Sequence, residues 1–332
     1  MKLIRIILFP IVPIYYLITR LRNWMFDVGI KSSKSYDFPV ICVGNLSTGG
    51  TGKTPMIEYL IRLLKDDKNL ATLSRGYKRK TKGFVLADEN ANADTIGDEP
   101  FQFYRKFKDV RVAVDADRQN GIAELRRLQP QPQVILLDDA FQHRKVKAGF
   151  NILLTAYNNL YYKDMVLPTG NLREPRSGAK RADLIVVTKC SKDITEIEKQ
   201  KITSKLKLHN HQQLFFSYVD YGSNVISDSE AMELTKLSKF TLVTGIANAK
   251  PLVEFLNEKG LKFDHLEFSD HYNFTPSDIE TLASKSLIIT TEKDYVRLST
   301  NEKLKSKLFY LPIEIKIDKP EVFSTAVKVF VS

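Results

Sequence analysis

The sequence is short of cysteine, of long apolar runs and of low-complexity segments, and each shortage excludes something. Two cysteines, Cys42 and Cys190, stand far apart among 332 residues, one inside an apolar run and one just past another. That excludes a disulfide framework or a zinc spacing and reads as small buried residues of a reduced compartment. No internal repeat and no low-complexity linker is present. The amino-terminal apolar run covers only residues 6–18, well short of the roughly 20 residues needed to span a bilayer, and Pro10 and Pro13 interrupt it. A signal peptide is a rival reading, because Lys2 and Arg5 precede the run. No small-residue cleavage site follows, however, and Arg20 and Arg22 come next. The run is instead read as an interfacial anchor, with Tyr15, Tyr16, Trp24 and Phe26 near lipid headgroups and basic residues at both ends. A helix packed on its own domain is the alternative.

What is present describes an ordinary globular chain, 43% hydrophobic and 27% charged, long enough for two domains with their own cores. Fifty Lys and Arg against 39 Asp and Glu leave a net charge of +11, which favours an anionic partner. Charge alone does not choose among a nucleotide, an anionic lipid and a nucleic acid.

The stretch 40–55 does choose. Val40, Ile41, Cys42 and Val43 read as a buried strand that runs through Gly44, Asn45, Leu46, Ser47 and Thr48 into Gly49, Gly50, Thr51 and Gly52. A helix opens at Lys53, Thr54 and Pro55, with Met56, Tyr59, Leu60, Leu63 and Leu64 at helical spacing behind it. The glycines let successive N–H groups face one anion, Lys53 can reach the outer phosphates, and the Thr54 hydroxyl suits Mg²⁺. This is a phosphate-binding loop of the ATP type, with one departure: G-x-x-x-x-G-K-[ST] has glycine where Ser47 stands. Such a loop is of little use outside the cytosol.

Further apolar strands end in polar tips, the positions that line the ligand crevice of an open parallel sheet. Strand 70–74 leads to Ser74-Arg75-Gly76-Tyr77, followed by Lys78, Arg79, Lys80 and Lys82, either a solvated hairpin tip or an anion-binding run. Gly97-Asp98-Glu99-Pro100 marks a helix start, whose acids either complement the helix dipole or place one carboxylate near the phosphates as a base. Strand 110–114 ends in Asp115-Ala116-Asp117-Arg118. Strand 134–137 ends in Asp138-Asp139, where a P-loop protein places its Mg²⁺-associated aspartate. Ala140-Phe141-Gln142-His143-Arg144 follow directly, with His143 read as structural more readily than functional. After a short strand at 151–155, the turn-rich loop 167–175 holds Arg173 and Glu174, which on their own read as a surface ion pair. Strand 184–187 ends in Thr188-Lys189-Cys190-Ser191. A guanine-specific switch needs an aspartate where Ser191 stands, so a GTPase reading weakens.

From residue 213 the order shifts. A strand-like segment at 213–221 precedes a fresh strand-loop-helix unit at 242–245, with Leu252, Phe255 and Leu256 on one helix face. Asp270-His271 lies on a loop, read either as solvated polar residues or as part of an active site. Thr275-Pro276-Ser277-Asp278 caps a helix, and strand 287–290 leads to Thr291-Glu292-Lys293-Asp294. These alternations predict a smaller α/β lobe. The expected division is a membrane-associated helical segment at 1–28, a P-loop core at 29–215 with a mostly parallel sheet, and a smaller α/β domain at 216–332.

Taken together the set resembles the tetraacyldisaccharide 4′-kinase family, the lipid A 4′-kinases of Gram-negative bacteria. The resemblance is carried, in order, by Gly44-Asn45-Leu46 with Gly52-Lys53-Thr54-Pro55, by Ser74-Arg75-Gly76-Tyr77 and Gly97-Asp98-Glu99-Pro100, and by Asp117-Arg118. It continues through Asp138 to Arg144, Gly170-Asn171-Leu172-Arg173-Glu174-Pro175, Asp270-His271 and Thr291-Glu292-Lys293-Asp294, so it covers nearly the whole chain. Ala140, where the family usually has glycine, and Tyr272, where a second histidine is common, depart from it. The resemblance implies transfer of the ATP γ-phosphate to the 4′-hydroxyl of a tetraacylated, 1-phosphorylated glucosamine disaccharide at the cytoplasmic face of the inner membrane. An anionic glycolipid and the membrane surface are then the expected partners, rather than nucleic acid, with ATP and Mg²⁺ required.

On that basis Ser47, Thr48, Gly49, Gly50, Thr51, Gly52, Lys53 and Thr54 are expected to bind ATP, and Thr54, Asp138 and Glu174 to be candidates for Mg²⁺. Asp98 is expected to accept the hydroxyl proton with His271 orienting it, and Arg75, Tyr77, Arg118, Asp139 and Arg173 to meet phosphate or substrate. A P-loop switch without a transfer substrate, another small-molecule P-loop kinase at the membrane surface, and a scaffold docked on anionic lipid are the rival readings.

Overall fold

Alternating apolar segments and helices build two sheets in the computed structural model, which describes residues 5, 7–270 and 272–332. The first sheet holds β1 (Val40–Asn45), β2 (Leu70–Ser74), β3 (Val85–Leu86), β4 (Arg111–Val114), β5 (Val134–Asp138), β6 (Phe150–Ala156), β7 (Leu184–Thr188) and β8 (Gln213–Tyr221). The second holds β9 (Asn224–Ile226), β10 (Ala231–Glu233), β11 (Phe240–Thr244), β12 (Phe263–Glu267), β13 (Ile288–Thr291) and β14 (Leu308–Leu311), after which β15 (Ile313–Ile317) returns to the first. The larger sheet is ordered β15-β8-β7-β6-β1-β5-β2-β4-β3 and is parallel except at its two edge pairs. In the smaller sheet, β14, β13, β11 and β12 are parallel and β9 and β10 antiparallel. The chain therefore forms the expected α/β class with mostly parallel sheets.

Ten helices cover these sheets among the described residues: α1 (Val12–Asp27), α2 (Lys53–Leu64), α3 (Ala93–Ile96), α4 (Asp98–Lys106), α5 (Arg118–Arg127), α6 (Glu196–Leu206), α7 (Lys250–Glu258), α8 (Pro276–Ala283), α9 (Glu292–Leu298) and α10 (Pro320–Val331). Strand β1 is buried along its whole length because helices cover both faces, and its side chains alternate between two cores. Cys42 joins Leu73, Leu137 and Leu153 with Ile122 and Leu125 of α5 on one side. Ile41 and Val43 join Met56, Leu60 and Leu64 of α2 on the other, together with Phe323, Val327 and Val331 of α10.

The sheets do not divide the chain after residue 215. Strand β8 continues in the larger sheet to Tyr221, and β15 and α10 pack back onto it. Such a return joins residues about a hundred positions apart, which no local pattern signals.

Between the lobes, α4 lies against α9. Val296 of α9 enters a core with Ile96, Phe101 and Val114. Lys106 Nζ lies 2.7 Å from Glu58 of α2 and 2.8 Å from Glu292 of α9, while Gln102 and Arg62 also donate to Glu58 at 2.8 and 3.1 Å. This buried ionic cluster links the helix behind the phosphate loop to the smaller lobe.

Helix α1 has two faces. Val12 and Tyr15 lean on the core, and the Tyr15 hydroxyl donates to Arg173 O at 2.9 Å, so this tyrosine turns inward rather than joining an interfacial belt. Arg22 likewise donates to Gln142 O at 2.8 Å. Ile14, Leu17, Ile18, Leu21 and Trp24 are exposed on the other face. No helix of the described residues is long and apolar enough to cross a membrane.

Candidate active site

The loop between β1 and α2 turns at Gly49 (φ +104°) and Gly52 (φ +86°), left-handed conformations that favour glycine. Ser47 has no such φ and instead pairs antiparallel with Leu172, so the position that departs from the motif imposes no demand for glycine. Thr48 N–H donates to Asn171 O and Arg173 N–H to Leu46 O, both at 2.7 Å. From the other side, the Thr188 hydroxyl donates to Thr51 O at 2.7 Å and Lys189 Nζ to Gly50 O at 2.7 Å. Segment 171–173 and the tip of β7 thus hold the loop open on one face, where Lys53 and Thr54 begin α2.

Strand β5 runs beside β1, with Asp138 level with Val43, and brings two acids of different character to the loop. Asp138 is 1% exposed, and its Oδ1 is buried without a hydrogen-bond partner. Burial, reinforced by Glu99 and Asp139 and opposed by Lys53 and Arg118, pushes its carboxyl up to about 8. Asp139 follows with φ +51°, its side chain 33% exposed. Arg173 Nη1 lies 3.0 Å from both its oxygens, and Lys53 Nζ lies 3.6 Å from Oδ1. Burial would raise this carboxyl, but Lys53, Arg173 and Arg118 outweigh it and hold it below the ordinary carboxylate range. Arg118, 3% exposed, donates to Asp115 O at 2.6 Å, leaves Nε without a partner, and lies in the field of Asp138, Asp139 and Arg75.

Mg²⁺ held with a nucleotide takes one or two carboxylates and phosphate oxygens rather than an all-protein cage. Among the described residues no three His, Cys, Asp or Glu side chains converge as such a cage. The orphaned Asp138 oxygen, on a carboxyl that a nearby cation would ionise, fits the nucleotide-bound kind. Glu174 does not present itself in that way. Its carboxylate takes hydrogen bonds from Arg181 at 2.7 and 3.0 Å, from Asn23 of α1 at 2.5 Å and from Gln142 at 3.0 Å. The surface pair of Arg173 with Glu174 is therefore not formed: Arg173 turns to Asp139 and Glu174 beneath α1.

Asp98 opens α4 after Gly97 (φ +92°), whose Cβ position lies 3.1 Å from Tyr77 O, so only glycine lets these segments approach. The Asp98 carboxylate is held by Arg297 of the smaller lobe, with Nε 3.1 Å from Oδ1 and Nη2 on Oδ2. Asp270 accepts from Lys293 Nζ at 2.8 Å, and its charge and that of Lys53 both act on Lys189. His271 lies outside the described residues. Tyr272, the second departure, donates its hydroxyl to Asp278 at 3.1 Å and stacks its ring among Phe268 and Phe274, a structural place. Arg75 and Tyr77 lie on the exposed tip beyond β2. Glu99, one of the two acids expected near the phosphates, acts on Asp138. Lys189, which carries no motif signal of its own, meets the loop at Gly50 O only through the fold.

A family model described as tetraacyldisaccharide-1-P 4′-kinase matches residues 4–331. The tetraacyldisaccharide 4′-kinase of Flavobacterium johnsoniae is 58% identical over 320 residues, covering 95% of this chain and 93% of that one. That of Phocaeicola vulgatus is 44% identical over 345 residues, covering 98% and 94%. The crystal structure of an "apo" form of LpxK from Aquifex aeolicus in complex with ATP superposes with a TM-score of 0.80 at 31% identity, covering 99% of this chain and all of the other.

Proposed function

The chain belongs to the tetraacyldisaccharide-1-P 4′-kinase family, and from that premise we propose how its residues carry the reaction and where it takes place. It is an ATP- and Mg²⁺-dependent kinase that transfers the γ-phosphate to the 4′-hydroxyl of tetraacyldisaccharide 1-phosphate in lipid A biosynthesis. Phosphoryl transfer needs positioning and charge neutralisation more than covalent help. Lys53 and the N–H groups of residues 49–54 hold the β- and γ-phosphates, the Thr48 N–H being spent on Asn171 O. Thr54 and Asp138 would hold Mg²⁺, which would supply positive charge against the charge that develops during transfer. Arg118 and Arg173 supply further positive charge, and Arg75 and Tyr77, exposed beyond β2, meet phosphate or acceptor. Asp98 takes the hydroxyl proton, with His271 orienting it. Glu174, with its oxygens occupied, anchors α1 through Asn23 and Arg181 rather than binding metal. Residues 216–332 form the smaller lobe except where β8, β15 and α10 belong to the core.

The observation that carries the reading is the pairing of a glycine loop ending in Lys53 with an unpartnered, buried Asp138 oxygen one strand away. For the setting, we propose the cytoplasmic face of the inner membrane. The support is α1, whose inward face holds the 171–174 loop and whose outward face is apolar. The protein incubated with γ-labelled ATP, Mg²⁺ and tetraacyldisaccharide 1-phosphate in mixed micelles is expected to label the lipid at the 4′ position. Phosphate release that labels no lipid would favour the switch reading instead.

A further inference from the structure

Helix α9 contributes nothing to the phosphate loop, yet its successive turns reach both segments on which proton removal rests. Arg297 donates from Nε and Nη2 to the two oxygens of Asp98 and from Nη1 to Tyr272 O at 3.1 Å, one residue past His271. One turn earlier, Lys293 Nζ donates to Asp270, one residue before it. The helix is itself fixed: Thr291 caps it, Asp294 accepts from Gly245 N–H at 2.8 Å, and Val296 is buried against the larger lobe. The Arg297 and Asp98 side chains are 12% and 15% exposed, so solvent screens the pair little.

We propose that Arg297 is a positioning residue for phosphoryl transfer, fixing the Asp98 carboxylate and the Tyr272 carbonyl to one planar group across the two lobes. This rests on the reading of Asp98 as the base. A guanidinium fork on both oxygens fixes the plane of a carboxylate, which a lysine point charge does not. The third donor ties the chain beside His271 to the same rigid group.

The test uses the full-length enzyme with Arg297→Gln, Arg297→Lys, Asp98→Asn and the Arg297→Gln/Asp98→Asn double variant, reading kcat, KM for ATP and thermal melting. Arg297→Gln is expected to lower kcat by about 10²-fold, the cost of a small misplacement of a reacting group, with KM for ATP within about twofold. Arg297→Lys is expected to melt near the wild type yet recover only part of the lost kcat. In the Asp98→Asn background the same Arg297→Gln change is expected to cost less than about threefold, because the group it positions no longer accepts a proton. If Arg297→Gln does not fold, Arg297→Lys carries the test, and a wild-type kcat there overturns the proposal. Equal fold-losses in both backgrounds also overturn it, as does an impaired Asp98→Asn enzyme beside an unimpaired Arg297→Gln enzyme. An Asp98→Asn enzyme with wild-type kcat overturns the base assignment first, and this proposal with it.

Discussion

Lys53 Nζ lies 3.6 Å from Asp139 Oδ1, and Arg173 Nη1 holds both oxygens of the same carboxylate at 3.0 Å. Asp139 thus gathers two cations at the mouth of the loop, where a polyphosphate with more charge and more acceptor oxygens competes for them. Removing Lys53 leaves Asp139 paired with Arg173, so no buried charge is orphaned. Lys53→Ala is therefore expected to melt near the wild type while losing at least about 10²-fold in turnover, the cost of removing one donor to transition-state charge. Turnover close to wild type in a folded Lys53→Ala protein would show the loop assignment to be wrong.

Asp98 and Asp138 are separated by environment as well as by element. One is gripped by Arg297 at a helix start, and the other is buried with a free oxygen beside Lys53, Arg118 and Glu99. Asp98→Ala is expected to lower kcat by about 10² to 10⁴ with ATP affinity nearly unchanged, the range for loss of a positioned base. Asp138→Asn should instead raise the Mg²⁺ concentration required for nucleotide use. His271→Ala should also lower kcat, and the pair with Asp98→Ala should lose less than the sum in free energy, since residues acting as a unit are non-additive. Strictly additive losses, or an Asp98→Ala enzyme that fails to bind Mg-ATP, would remove the dyad.

The glycine loop was legible because its chemistry is local: a strand, positive-φ glycines and a lysine at a helix start cannot be arranged in many ways. The strand-tip acids and arginines followed from parallel topology, since β1, β2, β4, β5 and β7 end at one edge. Orientation was not legible. Asp138 and Asp139 are identical in sequence terms, yet the first is buried with an unpartnered oxygen while the second pairs with Arg173 and Lys53. Arg173 and Glu174 likewise diverge, the first to Asp139 and the second to Arg181, Asn23 and Gln142. Tyr15 reads as an interfacial aromatic until its hydroxyl is found on Arg173 O, because a run apolar all round does not reveal which face is covered. Arg297 and Lys106 act across the lobes, at separations that no motif spans.

Lys106 stands between two buried carboxylates, and its removal separates their pH responses. Burial and the Glu58 charge push the Glu292 carboxyl up to about 7, against the pull of Lys106. A carboxyl raised in the folded state contributes a stability that falls as pH rises from its unfolded value through its folded one, here from about 4.5 to about 7. Below the folded value, as at pH 5.5, folded Glu292 is mostly neutral and Lys106→Met exposes only Glu58, which keeps Arg62 at 3.1 Å. Above it two buried anions lose their shared partner. Lys106→Met is therefore expected to cost about 3 to 5 kcal/mol at pH 8, as for breaking a buried pair, and clearly less at pH 5.5. Denaturant melts of both proteins at the two pH values check this, and an equal loss at both would show that Glu292 is ionised throughout.

Helix α1 supplies the remaining prediction, since its two faces let the proposed membrane attachment be tested apart from site assembly. Ile14, Leu17, Ile18 and Leu21 recur at the i, i+3, i+4, i+7 spacing of one helix face and are 58%, 62%, 61% and 56% exposed. The opposite face holds Tyr15 on Arg173 O and Asn23 on Glu174, so it is bound to the loop that borders the phosphate site. A lipid surface offers an apolar stripe what water cannot, about 1.5 to 3 kcal/mol for each large side chain buried, and on that proposal Arg20 and neighbouring cations would meet anionic headgroups. Leu17→Glu with Leu21→Glu is thus expected to lower co-sedimentation with anionic vesicles at least about tenfold, a conservative reading of that burial. Because neither residue touches the inward face, melting and ATP affinity should stay at wild-type values. Glu174→Ala should do the reverse, leaving the outward stripe intact while freeing Arg181 and Asn23, and so lower activity without releasing the protein from vesicles. Unchanged vesicle binding in the Leu17/Leu21 variant would assign the stripe to packing against another protein surface, and loss of binding in Glu174→Ala would show that the two faces do not act separately.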